Sequence, residues 1–131
     1  MSYAAIRNAL EIQLNTLSGA PVIVWENDDY TRTVGTPYIQ AGFHPVITEP
    51  SALGSSALTY YSGNLLVNLY YPLNQGPQAA DAIADQIVGS LFKWGTTLTG
   101  GIIILESGRV EPLISAEWYM IPVTVQWYCY L

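Results

Sequence analysis

The stretch Leu65-Leu66-Val67-Asn68-Leu69-Tyr70-Tyr71-Pro72, followed by Leu73-Asn74-Gln75-Gly76-Pro77, decides the fold. Leu65, Val67, Leu69 and Tyr71 fall on one side of an extended chain and Leu66, Asn68 and Tyr70 on the other, the period of two that a strand imposes. The spacing predicts a long central strand over 58–71. Pro72 to Gly76 turns the chain, and Pro77 stands where a first helical residue would, since its missing N–H leaves no bond unmade there. A helix is expected over 77–92, with Ala80, Ile83, Ala84, Ile87 and Leu91 on its buried stripe and Gly95 beyond its end. Asp81 near its start and Lys93 at its end suit the helix dipole.

Outward from this strand and helix, Tyr3, Ile6, Leu10, Leu14 and Leu17 recur at intervals of three and four, the apolar stripe of a helix over 3–17. Ser2 is its expected N-cap, and Ser18-Gly19 before Pro21 ends it. Val22 to Trp25 reads as a short strand and 38–43 as another. Residues 26–37 and 44–56 are polar and rich in Pro, Gly, Ser and Thr, so both read as long exposed connections. Residues 97–106 and 109–115 read as a hairpin turning at Ser107-Gly108. The last strand, 118–128, has Tyr119, Ile121, Val123, Val125 and Trp127 as its inward set, and Pro122 places it at a sheet edge or gives it a bulge. The order predicts one α+β domain over 1–131, two helices packed on one face of a mainly antiparallel sheet.

Composition narrows the function. The chain of 131 residues has four Lys+Arg against ten Asp+Glu, a formal charge of −6, so a phosphate-gripping surface is hard to build. Only 11% of residues are charged while 50% are hydrophobic, lean in charge against the roughly 25% usual in soluble domains, as expected of a chain that hides surface in an assembly. No apolar run approaches the roughly 18 residues of a membrane span, and the N-terminus lacks the pattern of a signal peptide, so a protein made and kept in a cytoplasm is expected.

Chemistry is sparse. Cys129 and His44 are the only thiol and imidazole, and one of each cannot supply the four ligands of a structural zinc site. As a nucleophile and base they lack any motif, and the simpler reading is a small apolar residue and a loop entry. Glu26-Asn27-Asp28-Asp29 gathers oxygen ligands without the spacing of a calcium loop, so solvated turns account for it. Glu106, Glu111 and Glu117 read as surface charge rather than an acid/base pair. Gly100-Gly101 leads into a strand, not a helix, and forms no phosphate loop. No catalytic residue, metal or cofactor is expected. Ten Tyr and four Trp, clustered at Tyr60-Tyr61, Tyr70-Tyr71 and 127–130, read as core and protein interface, because base stacking would also require a basic groove.

Four segments together resemble the phage tail terminator-like family, small proteins encoded beside tail-tube genes in siphophage-type genomes. They are Tyr3-Ala4-Ala5-Ile6-Arg7-Asn8-Ala9-Leu10; Trp25-Glu26-Asn27 with Gly35-Thr36-Pro37-Tyr38; Tyr70-Tyr71-Pro72 with Gly76-Pro77; and Trp118-Tyr119 with Ile121-Pro122-Val123-Thr124-Val125. Two places depart from the family pattern, Thr31-Arg32-Thr33, where a Pro is common, and the hydrophobic ending Tyr128-Cys129-Tyr130-Leu131. The resemblance implies a structural virion subunit at the head-proximal end of the tail. It would form a homo-oligomeric ring, usually a hexamer, that caps the tail-tube protein, stops its polymerisation and offers a docking surface to a head–tail connector or neck protein, with DNA passing through the lumen unbound and no membrane involved. Other virion rings, the tube subunit or a head–tail adaptor, are the alternatives within this class, and a small ligand- or metal-binding module is the alternative outside it. Contacts are expected from loops 26–36 and 45–55 and from the 106–111 tip, hence from Glu26, Asp28, Asp29, Arg32, Pro45, Glu49, Glu106, Arg109 and Glu111.

Overall fold

A computed structural model describes residues 3–26, 31, 35–50, 58–73, 77–98, 100–115 and 118–130. The elements are α1 (Tyr3–Leu14), β1 (Val22–Trp25), β2 (Tyr38–Pro50), β3 (Thr59–Pro72), α2 (Gln78–Gln86) running into a π-helical turn (Ile87–Leu91), then β4 (Ile103–Arg109), β5 (Leu113–Ile114) and β6 (Trp118–Tyr130). One sheet runs β1-β2-β3-β6-β4, with β5 also on β6. Among the described residues only the β1–β2 pair is parallel. The fold is α+β, as the sequence predicts.

Strand β3 is central because alternate residues satisfy a dry face and a polar one. Leu65, Val67 and Leu69 are fully buried, and they meet Ile6, Leu10 and Leu14 of α1 and Ala80, Ile83, Ala84 and Ile87 of the second helix in one core. From β6 come Ile121, Val123, Val125, Trp127 and Cys129, with Tyr119 partly buried beside them. The residues between, Asn64, Asn68, Thr124 and Gln126, lie on the sheet's other face, where no helix packs among the described residues. Tyr71 joins the helix-side core, while Tyr70 stacks on Tyr38 across the sheet at 4.6 Å and approaches Trp118 edge-on.

The helices are tied together at their ends. Ser18 N–H donates to Gln86 Oε1 at 2.8 Å, and Gln86 Nε2 donates to Ser18 O. The π turn closes with Phe92 N–H on Ile87 O at 2.9 Å, and its widening brings Ile87 and Phe92 both into the core. Gln13 Nε2 from α1 donates to Leu91 O, one of the carbonyls that the helix end leaves over.

Three expectations need correction. Strand β2 does not end at residue 43 but runs to Pro50, paired with β3 to Thr59, because an edge strand tolerates Pro45 and Pro50 where a central one would not. Ser107-Gly108 is not a turn: both residues lie inside β4, and β4 and β5 pair separately with β6 instead of with each other. Pro122 marks neither an edge strand nor a bulge in β6, which is paired on both sides. Pro122 O accepts from Val110 N, so its missing N–H faces the gap between the end of β4 and the start of β5, where no ladder bond is lost. Ser2, the expected N-cap, lies outside the described residues.

Candidate assembly surfaces

Glu26 sits at the end of β1, and its carboxylate takes over the ladder where β1 stops. The last parallel pair is Trp25 with Ala41; beyond it Phe43 N–H donates to Glu26 Oε2 at 3.0 Å. Arg7 of α1 forms an ion pair with Glu26 Oε1 and lies 4.8 Å above the Phe43 ring centroid. Helix, strand end and the base of the 26–36 connection are thus joined through one carboxylate. Arg109 points to the helix side and pairs with Asp81 of α2 at 2.6 Å. Both pairs are part-exposed, so each contributes about 0–1 kcal/mol.

Of the other expected contact residues, Pro45 and Glu49 lie exposed on the distal half of β2, Glu106 is exposed on β4 opposite Gln126, and Glu111 is exposed just past β4. Asp28, Asp29 and Arg32 fall outside the described residues, as does Glu117. The structure therefore sends the described residues to three places: the β1 end (Glu26), the distal β2–β3 arm (Pro45, Glu49) and the β4 side (Glu106, Arg109, Glu111). Cys129 and His44 are not brought together: Cys129 is buried under the helices on β6, whereas His44 is exposed on β2, with β3 between the two strands. Burial pushes the Cys129 thiol up from its ordinary value, the opposite of what an attacking thiolate requires. Among the described residues no three His, Cys, Asp or Glu side chains gather as a metal site.

The helix-free face is polar over much of its area and carries carboxylates at Glu49 and Glu106, while one end holds the buried Val24, Tyr38 and Trp118. One rung across four strands reads His44, Asn64, Gln126, Glu106, and no Lys or Arg among the described residues stands on this face. At its distal end Tyr60, Tyr128 and Tyr130 contact one another at centroid distances of 5.1 to 6.3 Å, over a shallow depression of about 260 Å³ that Val46, Leu105 and Gln126 help to line.

Sequence reasoning missed what the edges expose. Both edges carry a strand irregularity: in β2 the register slips between Pro45 and Ile47, and in β4 between Ile104 and Glu106. A bulge re-aims the extra residue, and the two residues concerned, Val46 and Leu105, are 63% and 56% exposed. Trp94, 74% exposed, lies beside Leu105 over a second depression of about 490 Å³ that Glu106 and Ser107 complete. Periodicity cannot reveal a bulge at one residue, nor that a Trp after a helix lacks cover.

Comparison with known proteins gives two findings. The family model described as phage tail terminator protein matches residues 5–127. One solved structure, 22% identical, superposes with a TM-score of 0.74 over 100% of this chain and 96% of its own, which shows a shared fold. Nothing among curated proteins matches.

Proposed function

The chain belongs to the phage tail terminator protein family, and from that premise we propose that this phage tail structural protein forms a closed ring, hexameric as the resemblance implies, at the head-proximal end of the tail. The ring caps the tail-tube protein, stops further addition and presents a docking surface to a head–tail connector. The match over residues 5–127, nearly the whole chain, carries this reading. Its work is binding, not catalysis, and its place is the virion. Among the described residues no helix is long and apolar enough to cross a membrane.

Two features of the surface support it. A ring interface is heterologous, two different patches of one chain meeting around a closed rotation, and this sheet carries exposed apolar side chains at two separate edges. The passage of DNA calls for a surface that does not grip phosphate. Arg7 and Arg109 are tied up in ion pairs, and the helix-free face offers amides and hydroxyls without a cation among its described residues.

The test is tube growth. Purified chain added to polymerising tail-tube subunits of the same phage should bind tube ends and arrest elongation at a ratio of one ring per end, seen by electron microscopy. Tubes that continue to lengthen, or that incorporate the chain along their length, would sink the terminator reading, the second result pointing to a tube subunit.

A further inference from the structure

We propose that the Lys93–Trp94–Leu105 edge receives the β2–β3 arm of a second copy of this chain, with Lys93 facing Glu49; the inference rests on the ring reading and names its subunit contact. Both partners of this contact are open strand edges. On β4, backbone bonds from Gly95, Thr96 and Leu98 cover the outer side only as far as Ile104, and Leu105 to Arg109 are uncovered on that side among the described residues. On β2, β1 covers Tyr38 to Ala41 and Glu26 takes Phe43 N–H, but His44 to Pro50 have no outer partner among the described residues. Pro45, Pro50 and the two bulges limit backbone pairing along these edges, so a contact made here rests on side chains. Both edges present apolar residues, Val46 and Ile47 on one and Trp94 and Leu105 on the other. They stand on opposite sides of the sheet, as a head-to-tail ring contact requires.

Charge selects the pairing. Lys93 is the only lysine in the chain. Of the described cations, Arg7 and Arg109 have carboxylate partners and Lys93 has none among the described residues. It is exposed next to Trp94. Glu49 is the only carboxylate on the described arm, residues 44–50 and 58–62, and no described cation pairs with it. Glu106, which lines the depression with Trp94, would repel Glu49 and so favours the register that sets Glu49 toward Lys93.

A single lysine makes the test sharp. A carbodiimide, which joins an amine directly to a carboxylate in contact with it, is applied to rings assembled from mixed light and heavy isotope copies. The expected product is a Lys93–Glu49 linked peptide of mixed isotope content. Glu49→Lys and Lys93→Glu, each retaining the wild-type melting temperature, should weaken association about tenfold or more, and the double exchange should restore it. Normal rings whose Lys93 links only to other carboxylates, or single reversals that assemble as wild type, would overturn this contact and leave the ring standing. A wild-type chain that stays monomeric at all concentrations and with tube present would overturn the ring reading itself, and this contact with it.

Discussion

The two faces of β3 are built from neighbouring residues of one strand, yet they do opposite things. Leu65, Val67 and Leu69 are fully buried under two helices, while Asn64, Leu66, Asn68 and Tyr70 lie on a face with no helix over it among the described residues. The covered face holds the fold. The other face buries only a small cluster at one end, Val24, Tyr38 and Trp118 with Tyr70 against them, and its remainder and the edges that flank it carry the Tyr cluster, the polar rung and the two bulges. The difference teaches where to look for partners in a chain with so little chemistry: on the part of the sheet that the helices leave uncovered.

The comparison breaks most plainly at Trp127, the largest fully buried side chain, stacked on Phe43 at 5.4 Å. Trp127→Ala should cost about 3–5 kcal/mol in denaturant unfolding, whereas Gln126→Ala, one residue along on the uncovered face, should stay within about 0.5 kcal/mol. Equal effects would mean that the faces are not distinct. Next come Leu65→Ala and Leu66→Ala. The first should cost about 2–5 kcal/mol, and the second clearly less, because Leu66 leaves no buried cavity behind. A third pair concerns glycine. A Cβ on Gly63 would stand 2.5 Å from His44 O and 2.7 Å from Trp127 Cζ2, while one on Gly108 would meet nothing within 4 Å. Gly63→Ala should therefore lower stability by about 1–3 kcal/mol by overpacking, and Gly108→Ala should shift the melting temperature little.

The smallest effect is on pH. Burial pushes the Cys129 thiol above its ordinary 9.0 and the Tyr71 phenol above its ordinary 10.0. Well below pH 9.0 both groups are protonated in the folded and unfolded chain, and their contribution is fully present. As pH rises past 9.0 the unfolded chain ionises first, so stability falls from there toward the raised folded values. Cys129→Ala should delay the onset of that fall toward pH 10.0, where Tyr71 still acts. An unchanged onset in urea titrations across this range would show that burial of Cys129 does not set it.

Elements whose pattern is local were legible. The stripe Ile6, Leu10, Leu14 and the alternation Leu65, Val67, Leu69 both follow from period alone, and both are buried as expected. Elements defined by distant partners were not. Residues 45–50 look like a loop because two prolines and few apolar side chains interrupt them, and only pairing with Thr59 to Gly63 makes them a strand. Ser107-Gly108 looks like a turn because the dipeptide favours one, and only β6 holds it straight. The contact residues divide in the same way. The sequence marks Glu26 as a loop residue, but its bond to Phe43 N–H and its pairing with Arg7 depend on tertiary proximity. Nothing local marks Trp94 or Leu105, because their exposure belongs to the sheet edge and not to any short motif.

The central claim, that these uncovered surfaces close a ring at a tube end, is tested most directly by mass. Light scattering on a size-exclusion column should be run over a wide concentration range, at two salt concentrations, with and without tail tube. The account predicts a single closed oligomer with the mass of a hexamer, formed by the chain alone or on contact with tube, and no larger species. Open-ended polymers growing with concentration, or a monomer indifferent to tube, would contradict it.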